Sequence, residues 1–133
     1  MKVLMTEYLR IDLDTENWEC RVCDHVIGEA RDNYKKGLLV YNRDPADIHP
    51  SIIDPTKYKF TFCPDKDWVN IYEFYCPCCG TQMEVEYTLP GHEPLYDMEM
   101  DVDALKAQWS ERDELLEPTT GPNVMVDRHS HNH

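Results

Sequence analysis

The chain has 133 residues, of which 41% are hydrophobic and 11% aromatic, which fits one compact domain and excludes a large multidomain enzyme and wholesale disorder. Its apolar stretches are only a few residues long, far short of the roughly 20 residues that span a bilayer, so an integral membrane protein is excluded. The 26 acidic residues outnumber the 13 basic ones and give a net charge of −13, which argues against nucleic acid or an anionic membrane surface as a partner, because both bind Lys and Arg.

The first part of the chain predicts one β-strand and then a hairpin. Met1 to Asp14 has no basic start, apolar core or cleavage site of a secretory signal, so we expect a cytoplasmic protein. Apolar and charged residues alternate from Leu9 to Leu13, which is the period of a half-buried strand. Trp18 leads into Cys20-Arg-Val-Cys23, and His25 to Ile27 leaves it. This order predicts a short hairpin with the two cysteines at its tip.

The middle of the chain predicts shorter elements separated by prolines. The polar stretch Glu29 to Lys36 fits one helical turn, and the apolar run Leu38 to Tyr41 is short enough for a buried strand. Asn42 to Pro55 is predicted to be a loop, because each of its prolines fixes φ and lacks an amide donor. Aromatic and polar residues alternate from Tyr58 to Phe62, which predicts another strand.

A second hairpin is predicted around the other cysteine pair. The aromatic-rich run Trp68 to Tyr75 feeds directly into Cys76-Pro-Cys-Cys79, and we expect its aromatic side chains to pack in the core rather than line a substrate pocket. Apolar residues alternate with polar ones from Gln82 to Tyr87, so the two arms form a hairpin with one buried face. Gly80 directly follows the second cysteine pair, where a positive φ would suit it.

The last part of the chain is acidic. Apolar and acidic residues alternate from Tyr96 to Val102, which predicts an edge strand protected by its charges. Asp103 is predicted to cap a helix over Ala104 to Glu117, which Pro118 ends. Residues 119–133 are expected to form an extended tail. We therefore divide the chain into a zinc-ribbon-containing domain over residues 1–103 and a partner-binding helix and tail over residues 104–133.

The two Cys-x-x-Cys pairs predict a metal site. In a chain without an export signal, clustered cysteines are more typical of metal binding than of disulfides. Two such pairs complete a tetrahedron around one Zn²⁺, and four thiolates leave no open position for water, so the ion would be structural. The predicted ligands are Cys20, Cys23, Cys76 and Cys79. The predicted fold is mainly β (small α+β), with zinc-ribbon-like antiparallel hairpins around this site.

Several other side chains are weaker candidates for the site. The Cys78 side chain is expected to point away from an ion shared by its neighbours, and Cys63 fits a packing role at a strand end. His25 could replace a cysteine ligand or donate a hydrogen bond to a thiolate, but a surface position explains it equally well. The histidines of the tail, His129, His131 and His133, are most simply part of an extended chain end.

Four segments together resemble the acetone carboxylase gamma subunit family. They are Trp18-Glu-Cys-Arg-Val-Cys-Asp-His25, Tyr41-Asn-Arg-Asp-Pro45, the stretch from Ile48-His-Pro50 to Asp54-Pro55, and Glu73-Phe-Tyr-Cys-Pro-Cys-Cys-Gly-Thr-Gln82. The resemblance covers roughly Tyr8 to Asp103. Members of this family are small zinc-containing subunits of ATP-dependent ketone carboxylases. In its short length, this chain resembles the gamma-type subunit of acetophenone carboxylase more than the longer acetone-type subunit.

The resemblance implies a non-catalytic subunit of a ligase complex. ATP would activate bicarbonate and a ketone enolate to form a β-keto acid, and both ATP and bicarbonate would bind to large hydantoinase-like partner subunits in a hetero-oligomer. The residues agree, because no glycine-rich phosphate loop or oriented nucleophile is present in the sequence. A rubredoxin-like iron protein that carries electrons and a stand-alone zinc-ribbon interaction protein remain alternatives.

Overall fold

The computed structural model describes residues 1–49, 54, 56–57, 59, 63–115 and 117–118. In this part of the chain, two antiparallel sheets carry most of the regular structure, which confirms the mainly β, small α+β class. The elements in chain order are β1 (Lys2–Leu4), β2 (Leu9–Asp12), β3 (Asn17–Cys20), β4 (Val26–Glu29), a 3₁₀ helix (Tyr34–Gly37), β5 (Leu39–Arg43), α1 (Pro45–Ile48), β6 (Asn70–Tyr75), β7 (Gln82–Thr88) and α2 (Val102–Trp109). No helix in the described ranges is long and apolar enough to cross a membrane.

The first sheet is a four-stranded meander in the order β1-β2-β3-β4. Ile11 on β2 lies opposite Trp18 on β3, and both side chains are fully buried. The Trp18 ring packs against Tyr34 with ring centroids 5.4 Å apart, and its Nε1 donates a hydrogen bond to the Asp32 carbonyl at 3.0 Å. The hairpin predicted around the first cysteine pair is β3 and β4, whereas β1 was not predicted because its three residues are too few to show a period.

The second sheet has the order β5-β6-β7 and shares the core of the first. Phe74 on β6 is fully buried and belongs to the same apolar cluster as Trp18, and Met83 on β7 joins them. The predicted second hairpin is therefore confirmed as β6 and β7. The exposed fraction of Trp68 is 76%, however, so the prediction that it packs in the core is wrong; Trp68 precedes β6 rather than lying on it.

Lys35 connects the two sheets with the segment that follows β7. Its side chain is only 4% exposed, and its Nζ lies 2.8 Å from Glu86 Oε1, 2.8 Å from the Leu95 carbonyl and 3.2 Å from Asp97 Oδ1. The ammonium group also lies over the Phe74 ring, 5.3 Å from its centroid. A buried ammonium needs such partners, because desolvation of an unpaired charge is costly.

The predicted acidic edge strand over Tyr96 to Val102 is absent from the described structure. The alternation itself is present, since Met98 and Met100 pack against the core while Glu99 points to solvent. The segment is held by side-chain contacts rather than by backbone pairing with a neighbouring strand, and the main contact is the ion pair between Asp97 and Lys35. The pattern predicted correctly that Met98, Met100 and Val102 pack in or against the core, but not that Tyr96 is exposed or that the backbone forms no strand pairing with the rest of the described structure.

The carboxy-terminal helix differs from the prediction at both ends. Helix α2 begins at Val102, and the N-cap is Asp101, whose side chain accepts a hydrogen bond from the Ala104 N–H at 3.0 Å. Asp103 instead pairs with Arg31 at 2.9 Å. The helix ends at Trp109, not at residue 117. Its Leu105 lies in the common core, so α2 packs on the domain that precedes it.

The structure also differs from the prediction in the proline-containing segment after Tyr41. The predicted loop over Asn42 to Pro55 contains the end of β5 and the short helix α1, because Asp44 accepts a hydrogen bond from the Ala46 N–H and Pro45 suits the first helical position. The predicted strand over Tyr58 to Phe62 lies outside the described residues except for Lys59. The tail over residues 119–133 also lies outside them.

Gly37 and Gly28 provide a matched test of the packing between the 3₁₀ helix and β4. A Cβ on Gly37 would lie 1.9 Å from the Ile27 carbonyl oxygen, whereas a Cβ on Gly28 would have no neighbour within 4 Å. We expect Gly37→Ala to lower the free energy of unfolding by about 1 to 3 kcal/mol, since overpacking forces the backbone to move. Urea titration of the metal-saturated protein measures this, and an equal loss in Gly28→Ala would contradict the packing argument.

Candidate metal centre

Each cysteine pair lies at the tip of a hairpin, and the two hairpins belong to different sheets. Cys20 is the last residue of β3, and Cys23 lies in the turn before β4. Cys76 directly follows β6, and Cys79 lies in the turn before β7. The tips meet, so residues more than fifty positions apart in the chain come together.

The first turn is closed by two backbone hydrogen bonds and by an aspartate in the left-handed region. The Cys20 N–H donates to the His25 carbonyl and the Asp24 N–H donates to the Cys20 carbonyl, both at 2.9 Å. Asp24 has a φ of 63°, which side chains with a Cβ rarely adopt. The buried Arg10 donates a hydrogen bond to the Asp24 carboxylate and another to Glu19, so the sheet holds this turn directly.

The second turn repeats the same geometry. The Cys76 N–H donates to the Thr81 carbonyl and the Gly80 N–H donates to the Cys76 carbonyl, again at 2.9 Å. Gly80 has a φ of 75°, as its place after the cysteine pair led us to expect. Gly80 and Asp24 therefore occupy equivalent positions. Both turns leave their cysteine side chains on the side that faces the other hairpin, which is what a shared ion requires.

The four sulfur atoms have the spacing of a tetrahedral metal site. The Sγ atoms of Cys20 and Cys79 are 3.7 Å apart, those of Cys23 and Cys76 are 3.6 Å apart, and all four lie within 4.8 Å of one another. A regular tetrahedron with zinc–sulfur bonds of about 2.3 Å has sulfur–sulfur edges of about 3.8 Å. The donor set and its spacing thus fit a single Zn²⁺.

Burial and hydrogen bonding give the thiols of the cluster different acidities. Burial raises the pKa of Cys20 to about 12 and also raises the pKa of Cys76. The exposed Cys79 accepts hydrogen bonds from the hydroxyl and backbone N–H of Thr81, and these lower its pKa to about 6. In the protein without metal at pH 7, Cys79 is therefore largely a thiolate while Cys20 and Cys76 keep their protons.

Three other side chains considered from the sequence, Cys78, Cys63 and His25, lie outside this cluster, while the tail histidines are not among the described residues. Cys78 is exposed in the second turn, and the Cys63 thiol donates to the Pro64 carbonyl at 3.4 Å. His25 contributes its backbone carbonyl to the first turn, and its ring is not among the grouped ligand atoms. No second group of three or more potential metal ligands occurs within the described residues.

Two residues that shape the site were not predicted from the sequence. Asp24 supports the first turn through its left-handed backbone and its contact with Arg10, and Thr81 supplies the hydroxyl that stabilises a Cys79 thiolate. A signal for Asp24 was available, because it follows the first cysteine pair as Gly80 follows the second, and Asp tolerates the left-handed region better than most residues.

Comparison with known proteins places these features in a family. A profile described as acetone carboxylase gamma subunit matches residues 3–110. A protein of Aromatoleum aromaticum named acetophenone carboxylase beta subunit is 46% identical over 107 residues, which is 80% of this chain and 81% of that protein. The acetone carboxylase gamma subunit of Xanthobacter autotrophicus is 28% identical over 100 residues, and the matched region covers 71% of this chain but only 54% of that protein.

The match confirms the resemblance seen in the cysteine turns and extends it slightly beyond the predicted range, through the whole of α2. The acetophenone carboxylase relative is named a beta subunit, so the letter gamma applies to the family and not to every member. The matched residues include both hairpins and all four cysteines of the cluster. The chain belongs to the acetone carboxylase gamma subunit family.

Proposed function

We propose that this chain is the small zinc-binding accessory subunit of an ATP-dependent ketone carboxylase of the acetophenone carboxylase type. The observation that carries the proposal is the cluster of four thiols at the junction of the two hairpins, in a chain whose relatives are named as carboxylase subunits. Cys20, Cys23, Cys76 and Cys79 would bind one Zn²⁺ per chain. A shell of four thiolates excludes water from the ion, so the zinc would stabilise structure rather than act as a Lewis acid.

The chemistry would take place on the partner subunits. In the proposed complex, large hydantoinase-like subunits bind ATP, bicarbonate and the ketone and form a β-keto acid, while this chain provides no catalytic residue. The names of the relatives support a place in such a complex, since both are called carboxylase subunits. The proposed location is the cytoplasm, where cysteines remain reduced and available to a metal.

The carboxy-terminal region is proposed to contribute to partner binding. The division into residues 1–103 and residues 104–133 remains a prediction, although α2 itself packs on the core through Leu105. Beyond α2, the described residues expose an acidic surface that includes Glu111, Asp113 and Glu114. A basic surface on a large subunit would complement it.

Native mass spectrometry of the untagged protein from its own cells tests the proposal directly. We expect a hetero-oligomer that contains large carboxylase subunits and one zinc ion for each copy of this chain. A free species of 15.7 kDa under the same conditions would contradict the subunit role. Iron in place of zinc would instead favour the rubredoxin-like electron carrier.

Cys79 and Cys78 provide a matched pair for the ligand assignment, because both are exposed residues of the same turn. We expect Cys79→Ser to reduce the zinc content below one per chain and to destabilise the fold by several kcal/mol, since structural zinc supplies about 10 to 16 kcal/mol of apparent binding free energy near neutral pH. Cys78→Ser should keep zinc and stability. Elemental analysis and thermal melting decide the question, and equal behaviour of the two variants would show the assignment to be wrong.

Zinc affinity should depend steeply on pH. The raised pKa values of Cys20 and Cys76 mean that both thiols are protonated at pH 7 in the metal-free protein, so zinc binding releases at least two protons. Each released proton makes the apparent affinity rise about tenfold per pH unit. We therefore expect a rise of at least about 100-fold per unit near neutrality, steeper below the pKa of about 6 for Cys79. Competition with a chelator between pH 6.5 and 8 measures it, and a flat profile would contradict bound thiolates.

A further inference from the structure

Sheet edges determine where this protein can add a partner strand, and three of the four edges in the described structure are protected. An exposed edge offers unpaired N–H and C=O groups to other chains, so proteins usually cover it or charge it. The β1 edge is covered by the segment after α2. Val3 forms a bridge with Leu115, and the Lys2 N–H donates to the Glu114 carboxylate at 3.2 Å.

The edges at β4 and β7 are protected in other ways. Gly37 lies so close to the β4 backbone that a Cβ would meet the Ile27 carbonyl oxygen at 1.9 Å. On β7, Glu84 places a negative charge on the strand, and Glu86, which is paired with Lys35, accepts a hydrogen bond from the Leu95 N–H of the following segment at 2.9 Å. Each of these contacts or charges discourages pairing with another chain.

Strand β5 has no such protection from the part of the chain that is described. It is the outer strand of its sheet, and its ladder runs only to β6. No backbone hydrogen bond from another described segment reaches its residues. Leu39, Val40 and Tyr41 are 57%, 50% and 50% exposed, and no residue from Leu39 to Asn42 carries a charge.

The apolar sequence of β5 predicts more burial than the structure shows. An unbroken apolar run such as Leu38 to Tyr41 is typical of a strand that is buried on both faces, and it predicts burial here. Only Leu38, just before the strand, is buried in the isolated chain. Because an exposed apolar edge is an aggregation hazard in a free protein, its retention fits a strand that becomes buried in a complex.

The positive charge of Arg43, at the end of β5, is neutralised by Glu73 of the same chain. Arg43 Nε and Nη2 donate to Glu73 Oε1 at 3.0 and 2.9 Å, and the guanidinium carbon lies 4.6 Å from the centroid of the Tyr41 ring. The Arg43 contact therefore restrains the Tyr41 ring before any partner binds. Restrained aromatic side chains lose less entropy on binding, and Tyr and Arg are enriched among residues that dominate interfaces.

We propose that the outer edge of β5, which no other described segment pairs with, receives an extended segment of a large carboxylase subunit, which adds a fourth strand to the second sheet. The inference rests on the proposed function and specifies where the partner binds. The segment would be mostly apolar, flanked by basic rather than acidic residues, because the chain carries a net charge of −13. The same charge argues against a second copy as the occupant, since two such chains repel each other.

Hydrogen exchange on the unmodified protein tests the backbone pairing. Amide exchange is compared between the free chain and the complex reconstituted with the large carboxylase subunits of its own source organism. We expect Leu39–Arg43 to exchange more slowly in the complex, while Val26–Glu29, whose edge is already covered, shows no change. Unchanged exchange across β5 in a formed complex would overturn the proposal, because an added strand must protect outward-facing amides.

Val40 and Val26 provide matched variants, since both lie on outer strands and are 50% and 51% exposed. Lysine on an edge strand discourages pairing, so Val40→Lys should weaken binding to the large subunits roughly 10-fold or more. Val26→Lys should bind like the unmodified chain. Both variants should retain zinc and the unmodified melting temperature, which shows that they are folded.

The outcomes separate this inference from the proposed function. If the unmodified chain binds no large subunit, the proposed function fails and the inference fails with it. If it binds and Val40→Lys binds equally well, or both lysine variants are weakened equally, the function stands and the β5 surface is wrong. If the chain alone forms dimers that Val40→Lys dissociates, the occupant is a second copy and the proposal is overturned.

Discussion

The meeting of four thiols from two separate hairpins is the constraint on which the arrangement of this protein depends. Both turns end in a residue with positive φ, and both direct their cysteines toward the same point. With the proposed zinc bound, the tip of β3 and β4 could not move relative to the tip of β6 and β7 without stretching metal–sulfur bonds. The ion would fix the orientation of two sheets that are individually small, and small domains commonly need such a link.

The opposite side of the junction is held by ordinary packing. Trp18 and Phe74 come from different sheets but lie in one apolar cluster, and α2 adds Val102 and Leu105 to it. The metal centre and the core therefore support each other. Burial raises the pKa of Cys20, so the packing that stabilises the fold also makes a bound cation displace a proton from this thiol, which lowers the apparent metal affinity at neutral pH.

Predictions from the sequence were correct where the chemistry of a site requires a fixed spacing of residues. They were wrong where contacts between distant side chains decide which residue takes a local role. The four clustered cysteines, the two hairpins and the turn at Gly80 could be predicted, because a pair of cysteines two residues apart has few uses and a hairpin tip has few shapes. Asp101 rather than Asp103 caps α2, since both residues are acceptable caps and Arg31 binds the second. That choice depends on a tertiary contact between distant residues, which no local pattern contains.

Lys35 shows how completely one buried charge can be satisfied. An ammonium group has three N–H donors; this one donates hydrogen bonds to Glu86 and to the Leu95 carbonyl and forms an ion pair with Asp97 at 3.2 Å. Arginine has the same charge but five donors in a wider planar group, so some of its donors would lack partners in this space. Methionine would fill the space but remove the cation that pairs with Glu86 and Asp97. The position is therefore restricted to lysine by donor count as well as by charge.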